Sequence, residues 1–296
     1  MVRHRAGWIP GPRTLVARAI PAVVAAVFLV VLSVSAAAQD AFVPGCSLPS
    51  PLDEIKQHHT IDAKCGPQGT GETEAKEAQN VVKNNLCATG DPVVMTRELF
   101  KTLQQKARAL KTTGQIEYGG EVVPADRSKL RDLVEVGGSK VGEGTVVRYV
   151  ALVAEARHSN VDSGESVNCG RRGAAANDIH IELVLALAGE SVCQKVSAEM
   201  VPHFRPVSWN RVAGTGSVKK RVKPFGSTPV RLTGQLFFDG SHTPCGEPSE
   251  DRFLARLSNW EIHPVYAIDV CAFDTLAQCP VGDESVWTAL HEEDPD

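Results

Sequence analysis

The sequence lacks the short motifs that would name a reaction. Its 296 residues contain no H-E-x-x-H, no G-x-S-x-G and no phosphate loop ending in Gly-Lys-Ser or Gly-Lys-Thr, patterns typical of zinc peptidases, serine hydrolases and nucleotide-binding enzymes. A glycine-containing stretch at residues 214–217 lacks that ending. The cysteines include no C-x-x-C pair, which disfavours zinc–thiolate sites. The identity of any reaction therefore stays open.

Long apolar runs are also scarce. Residues 19–39 are uncharged and mostly apolar, follow four arginines and end in Ser-Ala-Ala-Ala-Gln, which predicts a signal peptide at residues 1–38 with cleavage near Ala38. A retained signal anchor is the alternative, since about 20 apolar residues can span a bilayer, but the small residues favour cleavage. No later run has this length. We expect a secreted or periplasmic chain with no stable membrane insertion after cleavage.

Processing changes the charge and leaves every cysteine in place. Loss of four arginines and no acidic residue changes the formal net charge from −4 to −8, which disfavours general binding to phosphate backbones. An even number of cysteines in an oxidising compartment predicts disulfide bonds. Cys271 with Cys279 is the most plausible pair, and Cys65 with Cys87 is a second candidate. The eight cysteines lie at positions 46, 65, 87, 169, 193, 245, 271 and 279.

The mature chain divides into two parts by pattern. Residues 39–111 form an N-terminal extension in which residues 73–85 are rich in Ala, Glu, Lys and Gln, a helical composition. A second helix is predicted from Thr96, its N-cap, with an apolar stripe at positions 99, 100, 103, 107 and 110. Two short helices bury too little area to be stable alone. We expect them to pack on the remainder of the chain.

Residues 112–280 are rich in strand-like runs. Four strong runs cover residues 145–156, 179–187, 229–238 and 260–271, and weaker ones cover 115–123 and 130–136. Irregular loops separate them, which favours a small OB-like antiparallel barrel over a parallel sheet. Gly234 is the expected site of a sharp bend. The predicted fold class is therefore mainly β (α+β), with a β-sandwich as the alternative and an acidic tail at residues 281–296.

Five segments resemble a group of uncharacterised exported bacterial proteins with an OB-like β-barrel core. The resemblance implies the architecture and export, and it implies no activity. These segments are Asp178-Ile-His-Ile-Glu182, Glu199-Met-Val-Pro-His-Phe-Arg-Pro206, residues 232–242, Trp260-Glu-Ile-His-Pro-Val265 and residues 80–88.

Three of the strand-like segments join a carboxylate to a histidine. In a strand, alternate side chains share a face, so residues 179, 181, 183 and 185 should point into the core while Asp178, His180 and Glu182 share the outer face. In the last strand Trp260 and Ile262 should point inward, and Glu261 and His263 outward. The candidate ligand-binding residues are Asp178, His180, Glu182, His203, Arg205, Asp239, His242, Glu261 and His263.

Three interpretations of these residues compete: a divalent-metal or general acid/base site, a structural polar network and a non-catalytic ligand surface. Imidazoles and carboxylates are ligands for zinc or iron, and His180, His242 and His263 are the candidate metal ligands if a divalent metal is the cofactor. The second interpretation is a structural network on a hydrophilic outer face, because paired polar residues on adjacent strands commonly hydrogen-bond. We favour the structural interpretation, and the identity of any cofactor stays open.

One long segment is strongly basic. Residues 203–226 contain six arginines or lysines and no acidic residue. In an OB-type barrel such a loop can bind an oligonucleotide or a polysaccharide, with aromatic side chains for stacking, although a solvated loop is the simpler interpretation. The favoured function is an exported binding or structural module for an anionic partner. A metal-dependent hydrolase of the phosphodiesterase or nuclease type is the alternative, so enzyme activity is left undecided.

Overall fold

The computed structural model describes residues 65–86, 88–203, 205, 227–247 and 255–290. The expected signal peptide, most of the basic segment and the end of the acidic tail lie outside the described residues. Within those ranges, we find no helix whose length and apolar character would let it cross a membrane.

Both predicted helices form, and each begins at a threonine cap. Helix α1, Glu74–Lys83, starts after Thr73, whose hydroxyl accepts a hydrogen bond from the backbone N–H of Lys76. Helix α2, Arg97–Thr112, starts after Thr96, as the sequence predicted, and the Thr96 hydroxyl accepts from the N–H of Leu99. Such caps satisfy N–H groups that have no partner in the first turn.

The β-structure of the described residues comprises nine strands. Their bounds are β1 (Val93–Val94), β2 (Val134–Val136), β3 (Ser139–Val141), β4 (Val146–His158), β5 (Ile179–Val184), β6 (Val196–Met200), β7 (Val230–Phe238), β8 (Trp260–Cys271) and β9 (Trp287–Ala289).

Strands β4 to β8 form a small closed barrel. The strand β4 pairs with both β5 and β7, and the circuit continues through β6 and β8. All of these pairs are antiparallel except β6 with β8, which is parallel. Around the barrel the neighbouring strands are therefore β4, β5, β6, β8 and β7, and β7 pairs again with β4. The prediction of a mainly β chain with a small OB-like barrel is confirmed, with this one parallel pair as a difference from an all-antiparallel barrel.

The barrel interior and the apolar face of α2 make one core. Phe100 and Leu103 of α2 are fully buried in the same cluster as the inward side chains of the barrel. The ring of Phe100 packs edge-on against Tyr149 of β4, with centroids 5.5 Å apart. The α2 helix of the extension is thus integrated with the barrel, because its amphipathic stripe completes the barrel's core.

The pairing of β7 with β8 is irregular at Gly234, where the sequence predicted a bend. A side chain at this position would place its Cβ 2.4 Å from the carbonyl oxygen of Pro264 and 2.6 Å from Cγ2 of Ile262. Only glycine permits this approach of the two strands without movement of backbone.

Three disulfide bonds join the described residues. The predicted Cys271–Cys279 pair is confirmed, and Cys193 pairs with Cys245. The predicted pairing of Cys65 with Cys87 is wrong, because Cys65 pairs with Cys169, which is 104 residues away. The turn before α1 packs on the β4–β5 loop, where the N–H of Thr70 donates to the Ser166 carbonyl over 2.8 Å. That tertiary contact selects the distant partner.

Candidate functional site

The outer face of the barrel at β5, β6 and β8 carries the candidate site. As predicted, Ile179, Ile181 and Leu183 point into the core, whereas Leu185 lies beyond the end of β5 and is 38% exposed. The residues between them do not form the hydrophilic outer surface that we expected. Asp178 is fully buried and His180 is 8% exposed, because other parts of the chain cover this face.

Helix α1 and the residues after it provide part of that cover. The Gln235 side-chain amide donates to the Val82 carbonyl over 2.9 Å and to the His263 carbonyl over 3.1 Å. The Tyr266 hydroxyl donates to the Asn85 carbonyl over 2.6 Å. These bonds fasten the end of α1 to the outward side of β7 and β8, so the polar residues beneath are largely shielded from water.

Strand register brings the polar residues side by side. His180 of β5 lies opposite Glu199 of β6, and β6 runs parallel to β8 with Ala198 opposite Ile262. Because the next residue of each strand points outward, Glu199 and His263 become neighbours. Asp178 precedes β5 and reaches the same place from the β4–β5 loop.

Asp178, Glu199 and His263 form a buried cluster. The ring of His263 lies between the two carboxylates, with Nε2 3.5 Å from Oδ2 of Asp178 and Nδ1 2.8 Å from Oε2 of Glu199. One potential ligand atom from each residue lies within 4.8 Å of the other two. The contact between Nδ1 and Glu199 is short but lacks hydrogen-bond geometry. We call these three residues the acid–base cluster.

Burial and charge shift the pKa values of this cluster in opposite directions. Burial, reinforced by the negative charge of Glu165, raises the pKa of Asp178 to about 7. Burial alone would lower the pKa of His263, but the adjacent carboxylate of Glu199 raises it to about 9. Burial would likewise raise the pKa of Glu199, yet the charges of Lys83 and His263 hold it well below its usual range. At neutral pH and without a bound cation, His263 is protonated and pairs with Glu199.

A second network lies next to the acid–base cluster. Arg256 Nη1 donates to Oδ2 of Asp239 over 3.2 Å and contacts Glu261, while His242 Nδ1 contacts the same Asp239 carboxylate. The charge of Asp239 raises the pKa of His242. Burial would raise the pKa of Asp239, but the charges of His242 and Arg256 hold it well below its usual range. Glu261 Oε2, 3.9 Å from His263 Nδ1, connects the two networks.

The remaining predicted residues have separate contacts. Glu182 pairs with Lys195. His203 Nε2 lies 3.0 Å from Oδ1 of Asn84, just after α1, and Arg205 donates to the Asn177 carbonyl over 2.7 Å. Burial lowers the pKa of Arg205 to about 10. His203 and Arg205 therefore tie the end of β6 to α1 and to the β4–β5 loop.

The predicted metal site is not formed as proposed from the sequence. His180, His242 and His263 do not bring ring nitrogens within 4.8 Å of one another, and only His263 belongs to the acid–base cluster. The reason is topological, because His242 lies beyond the end of β7 and pairs with Asp239, whereas His180 lies on β5. Strand alternation alone does not reveal which strands are neighbours.

Three important residues were missed as candidates. Glu199 carried a sequence signal, since the pattern of β6 alternates apolar residues with Ser197 and Glu199. Lys83, whose Nζ lies 3.9 Å from Oε2 of Glu199, and Arg256 carried none. They come from a helix and a loop, and only the tertiary structure places them at the site.

The fold and the site define a small OB-like barrel protein with a buried acid–base cluster beneath an N-terminal extension. In comparisons with protein-family models, curated proteins and solved structures, nothing matches this chain.

Proposed function

We propose that the protein is an exported binding module that contacts an anionic polymer, an oligonucleotide or a polysaccharide, at one end of its barrel. The observation that carries the proposal is the pairing register of strands β4, β5 and β6. His158 pairs with Ile179, and Ile179 pairs with Met200. The β4–β5 loop and the chain that leaves β6 therefore emerge at the same end.

Both segments contain basic residues, and the β4–β5 loop also contains Asp162, Glu165 and Asp178. Arg172 of the β4–β5 loop is exposed and Arg171 is half-buried. The segment after β6 adds five arginines or lysines at residues 211–223 and no acidic residue; these residues lie outside the described ranges. OB-type barrels use their loops to bind oligonucleotides and oligosaccharides. The outer face of β5 and β6 is filled by the chain's own side chains, which leaves the loops as the contact surface.

Export is part of the same proposal. The disulfide bonds within the described residues are typical of proteins in oxidising compartments. The signal-peptide pattern at residues 1–38 supports the same compartment.

The test is a binding titration of the mature chain at physiological salt. The probes are a fluorescently labelled single-stranded oligonucleotide and a sulfated polysaccharide, measured by anisotropy and by competition. The test variant is Arg171→Gln/Arg172→Gln. The control, Lys129→Gln/Arg131→Gln, removes two exposed positive charges before β4, far from the end at which β4 meets the loop.

We expect wild type to bind one of the two probes and the test variant to bind it more weakly than the control. For the oligonucleotide, loss of two phosphate contacts should make the plot of log K against log salt concentration less steep, with a slope smaller in magnitude by about 1.4. The proposal would be wrong if wild type bound neither probe, or if the test variant and the control lost the same affinity. The alternative, a hydrolase using His180, His242 and His263, loses its ligand set in this structure, and we propose no hydrolytic step.

A further inference from the structure

We infer that Asp178, Glu199 and His263 together bind a divalent transition-metal cation beneath α1. This site differs from the histidine trio that the sequence suggested. It is also a different site from the proposed anionic surface, because Asp178, Glu199 and His263 are buried, although Asp178 belongs to the loop that carries Arg171 and Arg172.

The first observation is a concentration of buried polar atoms that lack hydrogen bonds. Among the described residues, these atoms include Oδ2 of Asp178, Oε2 of Glu199 and both ring nitrogens of His263; Nδ1 of His263 and Oε2 of Glu199 are in ion-pair contact at 2.8 Å without hydrogen-bond geometry. Oε2 of Glu261 and both ring nitrogens of His180 share this property close by. An unsatisfied buried polar group costs about 1–3 kcal/mol, and more when it is charged. So many in one place indicate a ligand that satisfies several of them at once.

The second observation is that Asp178 is already oriented. The Asn168 side-chain amide donates to Oδ1 of Asp178 over 3.1 Å, which holds one carboxylate oxygen and leaves Oδ2 facing His263. Metal-binding carboxylates are commonly oriented in this way by a second residue. Asn168 is itself buried, so it acts as a fixed support.

The third observation is the size of the cluster. Zinc ligands lie about 2.0–2.2 Å from the ion, so two ligand atoms on one cation are at most about 4.4 Å apart. The 3.5 Å contact with Asp178 uses Nε2 of His263 and the 2.8 Å contact with Glu199 uses Nδ1, so a single ion would take only one of these nitrogens. The full set spans at most 4.8 Å. The longest separation must shorten by about half an ångström for all three ligand atoms to reach one ion. This requires one carboxylate to turn toward the side of the His263 ring on which the other carboxylate lies.

The donor set selects the class of cation. One imidazole and two carboxylates suit Zn²⁺, Mn²⁺ or Fe²⁺, whereas Ca²⁺ and Mg²⁺ prefer oxygen donors alone. The competing explanation is an ion pair of His263 with the two carboxylates, with water at the orphaned atoms. The two explanations differ in metal content and in the response to added ion.

The experiment begins with wild-type mature protein purified without chelator and analysed for metal by mass spectrometry. The metal is then removed with chelator, and ZnCl₂ or MnCl₂ alone is added back while the melting temperature and bound metal are measured. We expect about one ion per chain, a lower melting temperature after chelation, and its recovery on addition of at least one ion.

Variants locate the site. Asp178→Asn and Glu199→Gln should each weaken ion binding at least 10-fold, as even loss of a supporting residue commonly does. Asp239→Asn is the matched control, because Asp239 is an equally buried carboxylate in the neighbouring network. It should bind the ion as wild type does. Far-ultraviolet circular dichroism checks that each variant is folded.

Two outcomes would overturn the inference. One is a wild-type protein that binds neither ion and whose melting temperature ignores both chelator and metal, which would leave the internal ion pair as the explanation. The other is a folded Asp178→Asn or Glu199→Gln variant that binds the ion as tightly as wild type. If both variants fail to fold, the wild-type titration alone decides between the two explanations.

Discussion

The Cys65–Cys169 disulfide should be the strongest covalent contribution to stability among the three that the structure describes. It closes a loop of 104 residues, whereas Cys271–Cys279 closes a loop of 8. A longer loop loses more entropy when it is closed in the unfolded chain. The loop-entropy relation gives about 4.7 kcal/mol for the long loop and about 2.5 kcal/mol for the short one, a difference of about 2 kcal/mol.

The perturbation is Cys65→Ala/Cys169→Ala, with Cys271→Ala/Cys279→Ala as its control. Alanine introduces no hydroxyl group into a buried position. Cys65, Cys271 and Cys279 are each at most 5% exposed and Cys169 is half-buried, so the control variant should lose at least as much packing as the test variant. The free energy of unfolding is measured by equilibrium denaturation in guanidinium chloride under non-reducing conditions.

We expect the first variant to lose about 2 kcal/mol more than the control. Hydrogen exchange should also become faster in α1, because the Asn80 side chain bonds to the Gln68 carbonyl in the turn that this disulfide holds. Equal losses in the two variants, or a larger loss in the control, would refute the loop-entropy reasoning. Unchanged exchange in α1 would show that its contacts with the barrel hold it without the disulfide.

Two other predictions concern the network around Arg256. The free energy of unfolding of Arg256→Met should be about 3–5 kcal/mol lower than that of wild type at neutral pH, because Asp239 and Glu261 keep buried charges without this partner. The double variant Arg256→Met/Glu261→Gln should lose less. Equal losses of the single and double variants in equilibrium denaturation would count against the network. The pKa of His242 is raised by Asp239, so the stability that protonated His242 contributes should be complete below about pH 6.5 and should vanish as pH rises through the raised pKa. The measurement is the free energy of unfolding of wild type and of His242→Gln against pH. A difference between them that grows with pH would contradict this sign.

Much of the fold could be predicted from the sequence because its causes are local. The caps at Thr73 and Thr96 depend on residues within one helical turn. The alternation of Ile179, Ile181 and Leu183 with polar residues follows from the two-residue period of a strand. The pairing of Cys271 with Cys279 spans only 8 residues. Each of these features was available without knowing which strands are neighbours.

The candidate site was only partly predictable because its causes are distant in sequence. His263 and Asp178 were candidates from strand alternation, but their meeting with Glu199 requires β6 to lie parallel to β8. Lys83 reaches Glu199 from a helix 116 residues earlier in the chain. Periodicity assigns a side chain to a face and does not say what packs on that face, which is why the hydrophilic outer face was expected and a buried one was found.

The sequence by itself determined the mainly β class, the helix starts, the outward direction of the carboxylate and histidine residues and the short disulfide. Each of these depends on neighbouring residues along the chain. The tertiary structure alone decided the Cys65–Cys169 bond, the cover of α1 over the barrel and the convergence of Asp178, Glu199 and His263. Those features depend on long-range packing, in which segments compete for partners according to the whole fold.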